Sequence, residues 1–317
     1  MIDNEHGSPI TSVLWGLGNI GLLYDLENTS ARSSAEFLTH AKALCASLRF
    51  ELLAGIDLKK QNRKLFSSTY GLPAFSKLDE LPNVFPLDLL IVALPTEIQV
   101  KECLRLKGDF IPRNLLIEKP VGISSVEAKQ LLNWAQSNKV SVFVNYFRNR
   151  FESVALAKEA LVGFNFGRVD KVQISSYGSL RNIYSHFLEL SEYLLPGQVI
   201  CGCPKNDIRI SSTSSLLVMC TACSRLYEFE GINSDRRETS VVISGEVHQL
   251  RILNNGRDIH LESSLLKTAQ SFFTDSDDFN RYQLGVYEKI HDEIISNQIS
   301  NDLIRAIQVQ EFIDGIE

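Results

Sequence analysis

The chain has 317 residues, about twice the usual length of one domain, which favours two domains over one. It is 44% hydrophobic and 22% charged, and its net charge of −6 argues against a protein that binds nucleic acid. We also expect no membrane association, because no segment is apolar over the length that a bilayer requires.

The first residues, MIDNEHGSPITS, are polar and acidic and lack the basic and apolar regions of a signal peptide. We therefore expect a cytoplasmic protein with reduced cysteines. Four of its six cysteines form C-x-C and C-x-x-C pairs, which leaves zinc as an alternative; they are Cys201, Cys203, Cys220 and Cys223. The second pair lies in 215-SLLVMCTACSRLYEFEG-231, which reads as one strand with its cysteines on opposite faces, so buried thiols and no metal are favoured.

The first part of the chain alternates short apolar runs with helical patterns, the order of βαβ units. The predicted strands are 10–16, 50–57, 87–95, 114–120 and 140–147, and the predicted helices are 33–48, 58–71, 96–108 and 124–139. The run 87-LDLLIVALP-95 is so continuously apolar that both of its faces should be covered. This pattern predicts a Rossmann domain, a doubly wound parallel sheet, over residues 1–147.

From residue 148 the pattern changes to consecutive strands, which indicates an α+β domain over 148–317. After a helix at 152–163, the predicted strands are 168–178, 208–223, 225–231, 238–246 and 247–256. A helix at 180–197 interrupts them, and the tail is helical at 279–295 and 300–316, where it can pack back on the first domain. We expect an open, mainly antiparallel sheet.

The stretch 14-LWGLGNIGLLYDL-26 has three glycines at the spacing G-x-G-x-x-G, directly after a predicted strand. In a dinucleotide-binding turn Gly16 allows the tight bend, Gly18 lets the backbone approach a pyrophosphate, and Gly21 allows close packing of helix on strand. The alternative is a glycine bend in a sheet that binds something else. The second predicted strand ends in Asp57, which favours the dinucleotide.

Asp57 also bears on the choice of cofactor. Its carboxylate can accept hydrogen bonds from the adenosine ribose and repels a 2′-phosphate, which favours NAD, although Lys59 and Lys60 keep NADP possible. The spacing from the glycines to Asp57 is longer than in the simplest fingerprint. We attribute the extra length to an inserted stretch, 25-DLENTSARSSAE-36, which can interrupt the first helix.

Two further residues could handle a proton. Lys119 stands in 117-IEKPVG-122, at the carboxyl end of a predicted strand, where open α/β sheets bind their ligands. The alternative is a surface lysine before a proline turn. His186 lies on the helix 180–197, and histidine is the residue type that can exchange a proton near neutral pH; its alternative is a structural role. The other five histidines, including His40 in the region of the first helix, have no comparable placement.

These motifs together resemble the Gfo/Idh/MocA family, the glucose–fructose oxidoreductase and inositol dehydrogenase group. The resemblance covers residues 12–150, through GLGNIG, LLAGIDLKKQNRKLFSSTYGLPAFSKLDEL, LDLLIVALPTEIQVKECL and LLIEKPVG, and EKP is its most specific element. It implies NAD(P)-dependent oxidation or reduction of a sugar, nucleotide-sugar, cyclitol or related polyol. It also implies a C-terminal sheet used to form a homodimer or homotetramer.

The resemblance implies the roles of the site residues. The family combines the lysine of EKP with an acid and a histidine arranged D-x-x-x-H on a helix, and Lys119 and His186 match that lysine and histidine. The expected catalytic residues are Lys119, Asn182, His186 and Glu189. The expected cofactor-binding residues are Gly16, Gly18, Asn19, Ile20, Gly21, Asp57, Leu94, Pro95, Thr96, Glu118 and Lys119. The expected substrate-binding residues are Lys119, Tyr146, Arg148, Arg150, Asn182 and His186, where the alternative for each arginine is an interdomain salt bridge.

One position departs from the family pattern. Asn182 stands where the family usually has aspartate, and Glu189 falls where a second acid often follows the histidine. Asparagine can orient a substrate hydroxyl but cannot carry negative charge. Our principal hypothesis is therefore an NAD(P)-dependent oxidoreductase, and the alternative is a catalytically altered or inactive dinucleotide-binding homologue with a regulatory role.

Overall fold

The computed structural model describes residues 8–26, 36–82, 87–162, 166–200, 208–212, 214–221, 223–232, 234, 238–263, 265–275 and 279–317. The chain divides into two compact units. Unit 1 comprises Met1–Phe147 and Asn280–Leu303, and unit 2 comprises Arg148–Phe279 and Ile304–Glu317. A C-terminal segment thus returns to unit 1.

The strands and helices are numbered in chain order. The strands of unit 1 are β1 Ile10–Trp15, β2 Phe50–Ile56, β3 Ala74–Phe75, β4 Leu89–Val92, β5 Asn114–Ile117 and β6 Ser141–Val144. The strands of unit 2 are β7 Val169–Ser175, β8 Ile208–Ser211, β9 Ser215–Cys220, β10 Arg225–Glu230, β11 Ser240–Gly245, β12 His248–Leu253, β13 Asp258–Ser263 and β14 Thr268–Phe273. The helices are α1 His40–Ala46, α2 Lys60–Tyr70, α3 Thr96–Cys103, α4 Ser125–Asn138, α5 Glu152–Val162, α6 Ser185–Leu194, α7 Tyr282–Ser296 and α8 Asp302–Ile316.

The sheet of unit 1 is parallel throughout its described pairs, in the order β3-β2-β1-β4-β5-β6. Every residue of β4 and β5 is buried, as expected for strands covered on both faces. The chain leaves β1 toward β2 and later returns to β4 on the other side of β1. Ligands of such sheets bind at the carboxyl ends of the strands beside this switch point. The predicted doubly wound parallel sheet is confirmed, with the short strand β3 in addition.

The first helix is interrupted by the inserted stretch, of which residues 27–35 lie outside the described part of the chain. Backbone N–H groups of His40 and Ala41 donate to the carbonyls of Ile20 and Gly21, each at 3.0 Å. In a continuous α-helix those carbonyls would accept from residues 24 and 25. Helix α1 therefore resumes the helical path begun at the glycine turn. The prediction of a helix beginning at residue 33 is too long at its start, because the insertion separates the two parts.

Asp25 stabilises the point where the helix resumes. Its carboxylate accepts hydrogen bonds from the backbone N–H groups of Leu38 and Thr39, and the Thr39 side chain caps the N–H of Lys42. These contacts satisfy the backbone donors that the interruption leaves without helical partners. The position of α1, and so of His40, is set by both ends of the insertion.

The sheet of unit 2 has the order β14-β13-β12-β11-β7-β10-β9-β8 within the described residues. Its pairs are antiparallel except β7 with β10, which are parallel. Buried and part-exposed residues alternate along β9, β10, β11 and β12, so one face of the sheet is covered. The predicted open, mainly antiparallel sheet is confirmed, and β13 and β14 are strands that the sequence did not indicate.

Two turns in unit 2 differ from the predictions. The run 208–223 is two antiparallel strands rather than one, because Ser212 accepts the backbone N–H of Ser215 in a serine turn that carries no glycine or proline signal. A second turn follows β9, with Ser224 at φ 53°. Cys220 is buried at the end of β9 and Cys223 lies in the turn, so the two cysteines do not share one strand.

The zinc alternative was built on two cysteine pairs. Cys201 and Cys203 lie outside the described residues, and among the described residues no group of three or more His, Cys, Asp or Glu could hold a metal ion. Over the same residues, no helix is long and apolar enough to cross a membrane.

Candidate dinucleotide site and lysine loop

The three glycines of the turn after β1 have different surroundings. Gly16 has φ 110°, and a Cβ there would lie 2.3 Å from the carbonyl oxygen of Ala93. A Cβ on Gly21 would lie 2.0 Å from the carbonyl oxygen of Gly16. A Cβ on Gly18 would meet nothing within 4 Å. Packing therefore requires glycine at 16 and 21, whereas at 18 the chain leaves open space beside the backbone, as close approach of a pyrophosphate requires.

Asp57 follows β2 and holds the glycine turn. Its Oδ2 accepts from the backbone N–H of Leu17 at 2.9 Å and from the side-chain amide of Asn62 at 3.2 Å. Its Oδ1 accepts from the backbone N–H of Lys59 at 2.7 Å. A carboxylate has about four acceptor positions. Three are filled by the protein, so Asp57 shapes the turn and retains capacity for about one ribose hydroxyl.

A cavity of about 670 Å³ opens beside Gly16, Gly18 and Asp57, a volume within the range of small-molecule and cofactor sites. Apolar side chains line it, including Leu58, Leu78, Ile98, Leu106 and Phe110. Leu58 is 78% exposed and Ile98 is 40% exposed, so both present apolar surface that a ligand in the cavity could cover. The open backbone at Gly18 and this apolar cavity fit the phosphates and the base of a dinucleotide.

The cavity also carries both signs of charge. Lys59, Lys77, Arg105 and Lys107 line it together with Asp57, Asp79 and Glu102. Leu94 and Pro95 belong to the lining, and Pro95 is the N-cap residue of α3, whose first residue is Thr96. Asn19 and Ile20 lie in the glycine turn outside this lining. Lys59 was considered only for the choice between NAD and NADP, and Asn62 and Lys77 were not expected at the site, although Asn62 lies in the first turn of the helix after Asp57.

The loop after β5 carries Glu118, Lys119 and Pro120, all half-buried. Glu118 Oε1 accepts from Asn145 Nδ2 at 2.6 Å and lies 2.8 Å from Nε2 of His40, whose side chain is fully buried. The Gln99 side-chain amide donates to the carbonyls of both Glu118 and Pro120. Sequence patterns gave His40 no placement comparable to that of His186, and the structure places His40 beside the lysine loop. Its role was hidden because the partners are distant in sequence.

Helix α7 completes this cluster from the C-terminal segment of unit 1. The hydroxyl of Tyr287 and the amide Nε2 of Gln283 each lie 2.7 Å from Nδ1 of His40. Tyr287 is fully buried, and burial, with the nearby Glu118 carboxylate second, raises its pKa well above the ordinary value. The phenol therefore stays neutral and available as a hydrogen-bond donor.

In unit 2, His186 lies on α6 directly after a π-helical turn, Leu180–Tyr184. The Ser179 side chain accepts the N–H of Asn182 at 3.3 Å, and Asn182 is exposed. His186 is 6% exposed. Single π-turns occur frequently at functional sites because they shift the side chains that follow.

Glu189, on α6, is 1% exposed. Its Oε1 accepts from Asn149 at 3.0 Å and from Nε of Arg305 at 2.8 Å. The carboxylate thus has two partners inside unit 2. This arrangement favours a structural role for Glu189.

Three expected substrate residues lie where the chain leaves β6. Tyr146 is 1% exposed. The Arg148 guanidinium stacks 4.7 Å from the ring centre of Phe187 and donates from Nε to the carbonyl of Asn255 at 2.8 Å. Arg150 is half-buried at the end of a 3₁₀ turn, Phe147–Arg150. Arg148 is held by partners within unit 2.

Residues 14–146 match the model of a family, GFO_IDH_MocA, described as an oxidoreductase family with an NAD-binding Rossmann fold. A curated relative, an uncharacterized oxidoreductase of Streptococcus pneumoniae, is 26% identical over 100 residues. The alignment covers 32% of this chain and only 27% of that relative's length.

Solved structures share the fold over nearly the whole chain. The WlbA dehydrogenase of Bordetella pertussis, in complex with NADH and UDP-GlcNAcA, is similar at TM-score 0.74 and 15% identity over 97% of this chain and 94% of that chain. The 3-ketoreductase KijD10 of Actinomadura kijaniata, with NADP and TDP-benzene, is similar at TM-score 0.69 and 13% identity over 97% of each chain. A super-repressor mutant of Gal80p from Saccharomyces cerevisiae is similar at TM-score 0.71 and 14% identity over 97% and 95%.

These likenesses agree with the predicted fold, and the family description agrees with the predicted class of cofactor. The family match falls on the unit that holds the glycine turn, Asp57 and the EKP loop. Residues 14–146 are therefore similar to the NAD-binding Rossmann fold of the GFO_IDH_MocA oxidoreductase family.

Proposed function

We propose that the protein is an NAD(P)-dependent oxidoreductase that transfers a hydride to or from a hydroxyl or keto carbon of a sugar, nucleotide-sugar or cyclitol. One observation carries the proposal: the cavity beside Gly18 and Asp57 lies at the carboxyl-end edge of the sheet where the lysine loop follows β5. Cofactor and substrate sites of open α/β sheets share that edge.

The glycine turn and Asp57 would hold the dinucleotide, with Leu94, Pro95 and Thr96 at the end of β4 beside the nicotinamide. When bound, the nicotinamide supplies or accepts the hydride. The backbone of Gly18 leaves room for the pyrophosphate, and Asp57 offers its remaining acceptor position to a ribose hydroxyl.

Lys119 is proposed as the residue that donates a hydrogen bond to the reacting oxygen and passes its proton. In oxidation the substrate oxygen loses its proton as the carbon loses hydride, so a base must accept that proton; in reduction the same group donates it. His186, on unit 2, is proposed as a second group of this kind, with Asn182 orienting a hydroxyl.

The proposed cofactor is NAD in preference to NADP. The Asp57 carboxylate at the cavity wall repels a 2′-phosphate, whereas Lys59 and Lys77 on the same wall attract one. We expect tighter binding of NADH than of NADPH. The comparison is made by fluorescence titration of the purified protein with each dinucleotide, and a preference for NADPH would refute this choice.

The proposed substrate class is supported by two proteins of the same fold, one solved with UDP-GlcNAcA and one with TDP-benzene. The activity is tested with a panel of polyols, nucleotide-sugars and keto-sugars, followed by the absorbance of NADH. Lys119→Ala should lower kcat by about 100-fold, the lower end of general acid–base effects, with NADH affinity unchanged. Lys129→Ala, an exposed lysine on α4, is the matched control. A kcat of Lys119→Ala within a few-fold of the wild-type kcat would refute the assignment of Lys119 as the proton-transferring residue.

A second candidate is a dinucleotide-binding protein with a regulatory role and no turnover. Asn182 favours it, because this residue cannot supply the negative charge of the usual aspartate. Gal80p, which has a super-repressor mutant, shares the fold. Tight NADH binding without turnover on the whole panel favours this candidate, and turnover on any member excludes it.

We further propose that the protein is cytoplasmic and forms a homodimer or homotetramer through the sheet of unit 2. The sheet has a face on which alternate residues of β10, β11 and β12 stay part-exposed. Light scattering after size-exclusion chromatography gives the mass, and a monomer at micromolar concentration would refute the proposed oligomer.

A further inference from the structure

We propose that His40 is a positioning residue for Lys119, acting through a set of buried and half-buried side chains called here the Glu118 network: His40, Gln99, Glu118, Asn145, Gln283 and Tyr287. The inference rests on the proposed function, in which Lys119 handles the substrate proton. All six residues belong to unit 1.

The hydrogen bonds define which nitrogen of His40 carries a proton. Gln283 Oε1 accepts from Asn145 Nδ2 at 3.3 Å, so the Gln283 Nε2 amide, which can only donate, faces Nδ1 of His40. Nδ1 is therefore an acceptor, and Nε2 bears the hydrogen and donates it to Glu118 Oε1 at 2.8 Å.

Glu118 is held at several atoms. His40 and Asn145 both donate to Oε1 of its carboxylate, whose side chain is 13% exposed. Gln99 Nε2 donates to the backbone carbonyl of Glu118 at 3.0 Å and to that of Pro120 at 2.6 Å. The residues on both sides of Lys119 are thus fixed, and the origin of the lysine side chain is fixed with them.

His40 connects this lysine loop to the glycine turn. Its backbone N–H donates to the carbonyl of Ile20, and the N–H of the next residue donates to Gly21. The residue that orients the lysine loop is therefore bonded, through its own backbone, to the turn that receives the dinucleotide. Such support of a reacting group matters because a displacement of about 1 Å can cost about 100-fold in rate.

The test measures Lys119 directly, without a substrate. The full-length protein is treated with trace acetic anhydride at pH 8, and the acetylation rate of Lys119 is measured by peptide mass spectrometry against that of Lys129. His40→Ala removes the donor to Glu118, and we expect Lys119 to react at least about three-fold faster once its loop is released. His40→Gln places an amide nitrogen where Nε2 lies and should restore most of the wild-type rate.

A control and a second variant keep the result decisive. Tyr282→Phe, on helix α7 like Gln283 and Tyr287, removes a hydroxyl that donates to the carbonyl of Leu38 at 2.9 Å. This change should leave the acetylation rate of Lys119 unchanged. If His40→Ala does not fold, Gln99→Met, which removes both carbonyl contacts with little change in volume, replaces it. Two results would overturn the inference. One is an acetylation rate of Lys119 that is unchanged in His40→Ala, or in Gln99→Met where that variant replaces it. The other is an acetylation rate of Lys119 in His40→Gln that is as fast as in His40→Ala.

A kinetic measurement adds a second readout. With any substrate that turns over, His40→Ala should lower kcat by about 100-fold while KM stays within about two-fold, because orientation and not binding is lost. A loss confined to KM counts against the inference. If no substrate turns over, the proposed function fails, while the acetylation rates still decide whether His40 positions Lys119.

Discussion

The contrast between Gly18 and Gly21 predicts that alanine substitutions at these two positions, three residues apart, act on different properties of the molecule. A Cβ on Gly21 would lie 2.0 Å from a carbonyl oxygen of the turn itself, so the backbone must move. Overpacking of this kind costs about 1–3 kcal/mol, which lowers the melting temperature by about 2–4 °C for each kcal/mol in chains of this size. A Cβ on Gly18 meets nothing within 4 Å, and alanine there can raise stability by a few tenths of a kcal/mol through the unfolded chain.

The effect on cofactor binding has the opposite order. Gly18 lines the cavity, so its new methyl group would occupy space through which a pyrophosphate approaches the backbone. We expect Gly18→Ala to weaken NADH binding at least about ten-fold, equivalent to about 1.4 kcal/mol, with a melting temperature that is unchanged or about 1 °C higher. Gly21→Ala should lower the melting temperature of the protein even in the absence of NADH.

The assays are thermal unfolding followed by circular dichroism and NADH fluorescence titration on the same preparations. Gly71→Ala serves as a control for glycine removal remote from the cavity; it should destabilise the chain, because Gly71 is the left-handed cap of α2, and leave NADH affinity intact. Wild-type NADH affinity in Gly18→Ala, or equal loss of melting temperature in Gly18→Ala and Gly21→Ala, would refute the division of roles between the two glycines.

Two further predictions concern unit 2. Arg305→Met should destabilise the protein by about 3 kcal/mol, because it removes the guanidinium that lies 2.8 Å from the buried Glu189 carboxylate. A change below about 1 kcal/mol in thermal unfolding would contradict a tight pair. Burial raises the pKa of Glu192 above its ordinary 4.5, against the lowering effect of three backbone N–H donors. A raised pKa in the folded state means that stability is full below pH 4.5 and is lost as pH rises through the raised value. The melting temperature of the wild type should therefore fall more steeply than that of Glu192→Gln over that interval, and parallel curves would show that Glu192 titrates normally.

Much of unit 1 was predictable because its signals are local. The apolar runs that became β1, β2, β4, β5 and β6 are short and bounded by turns, and β4 is covered on both faces as its composition indicated. The start of α4 was predictable because Ser124 is its N-cap residue, and the end of α2 was predictable because Gly71 is its C-cap residue. The strand break at Ser212 was missed because a serine side chain, and not a glycine or proline, makes that turn.

The sequence by itself determined the class of fold, the resemblance to a family of NAD-binding oxidoreductases and the glycine turn, since each depends on residue types at short, regular spacing. Only the tertiary structure decided that Asp57 uses most of its acceptor capacity to hold that turn, and that His40 reaches Glu118 and Gln283. His40 is separated from Glu118 by 78 residues and from Gln283 by 243, and an inserted stretch hides its place in the first helix. No local pattern carries such information, because it arises when a parallel sheet and a returning C-terminal helix bring distant polar groups into one buried volume where each must find a partner.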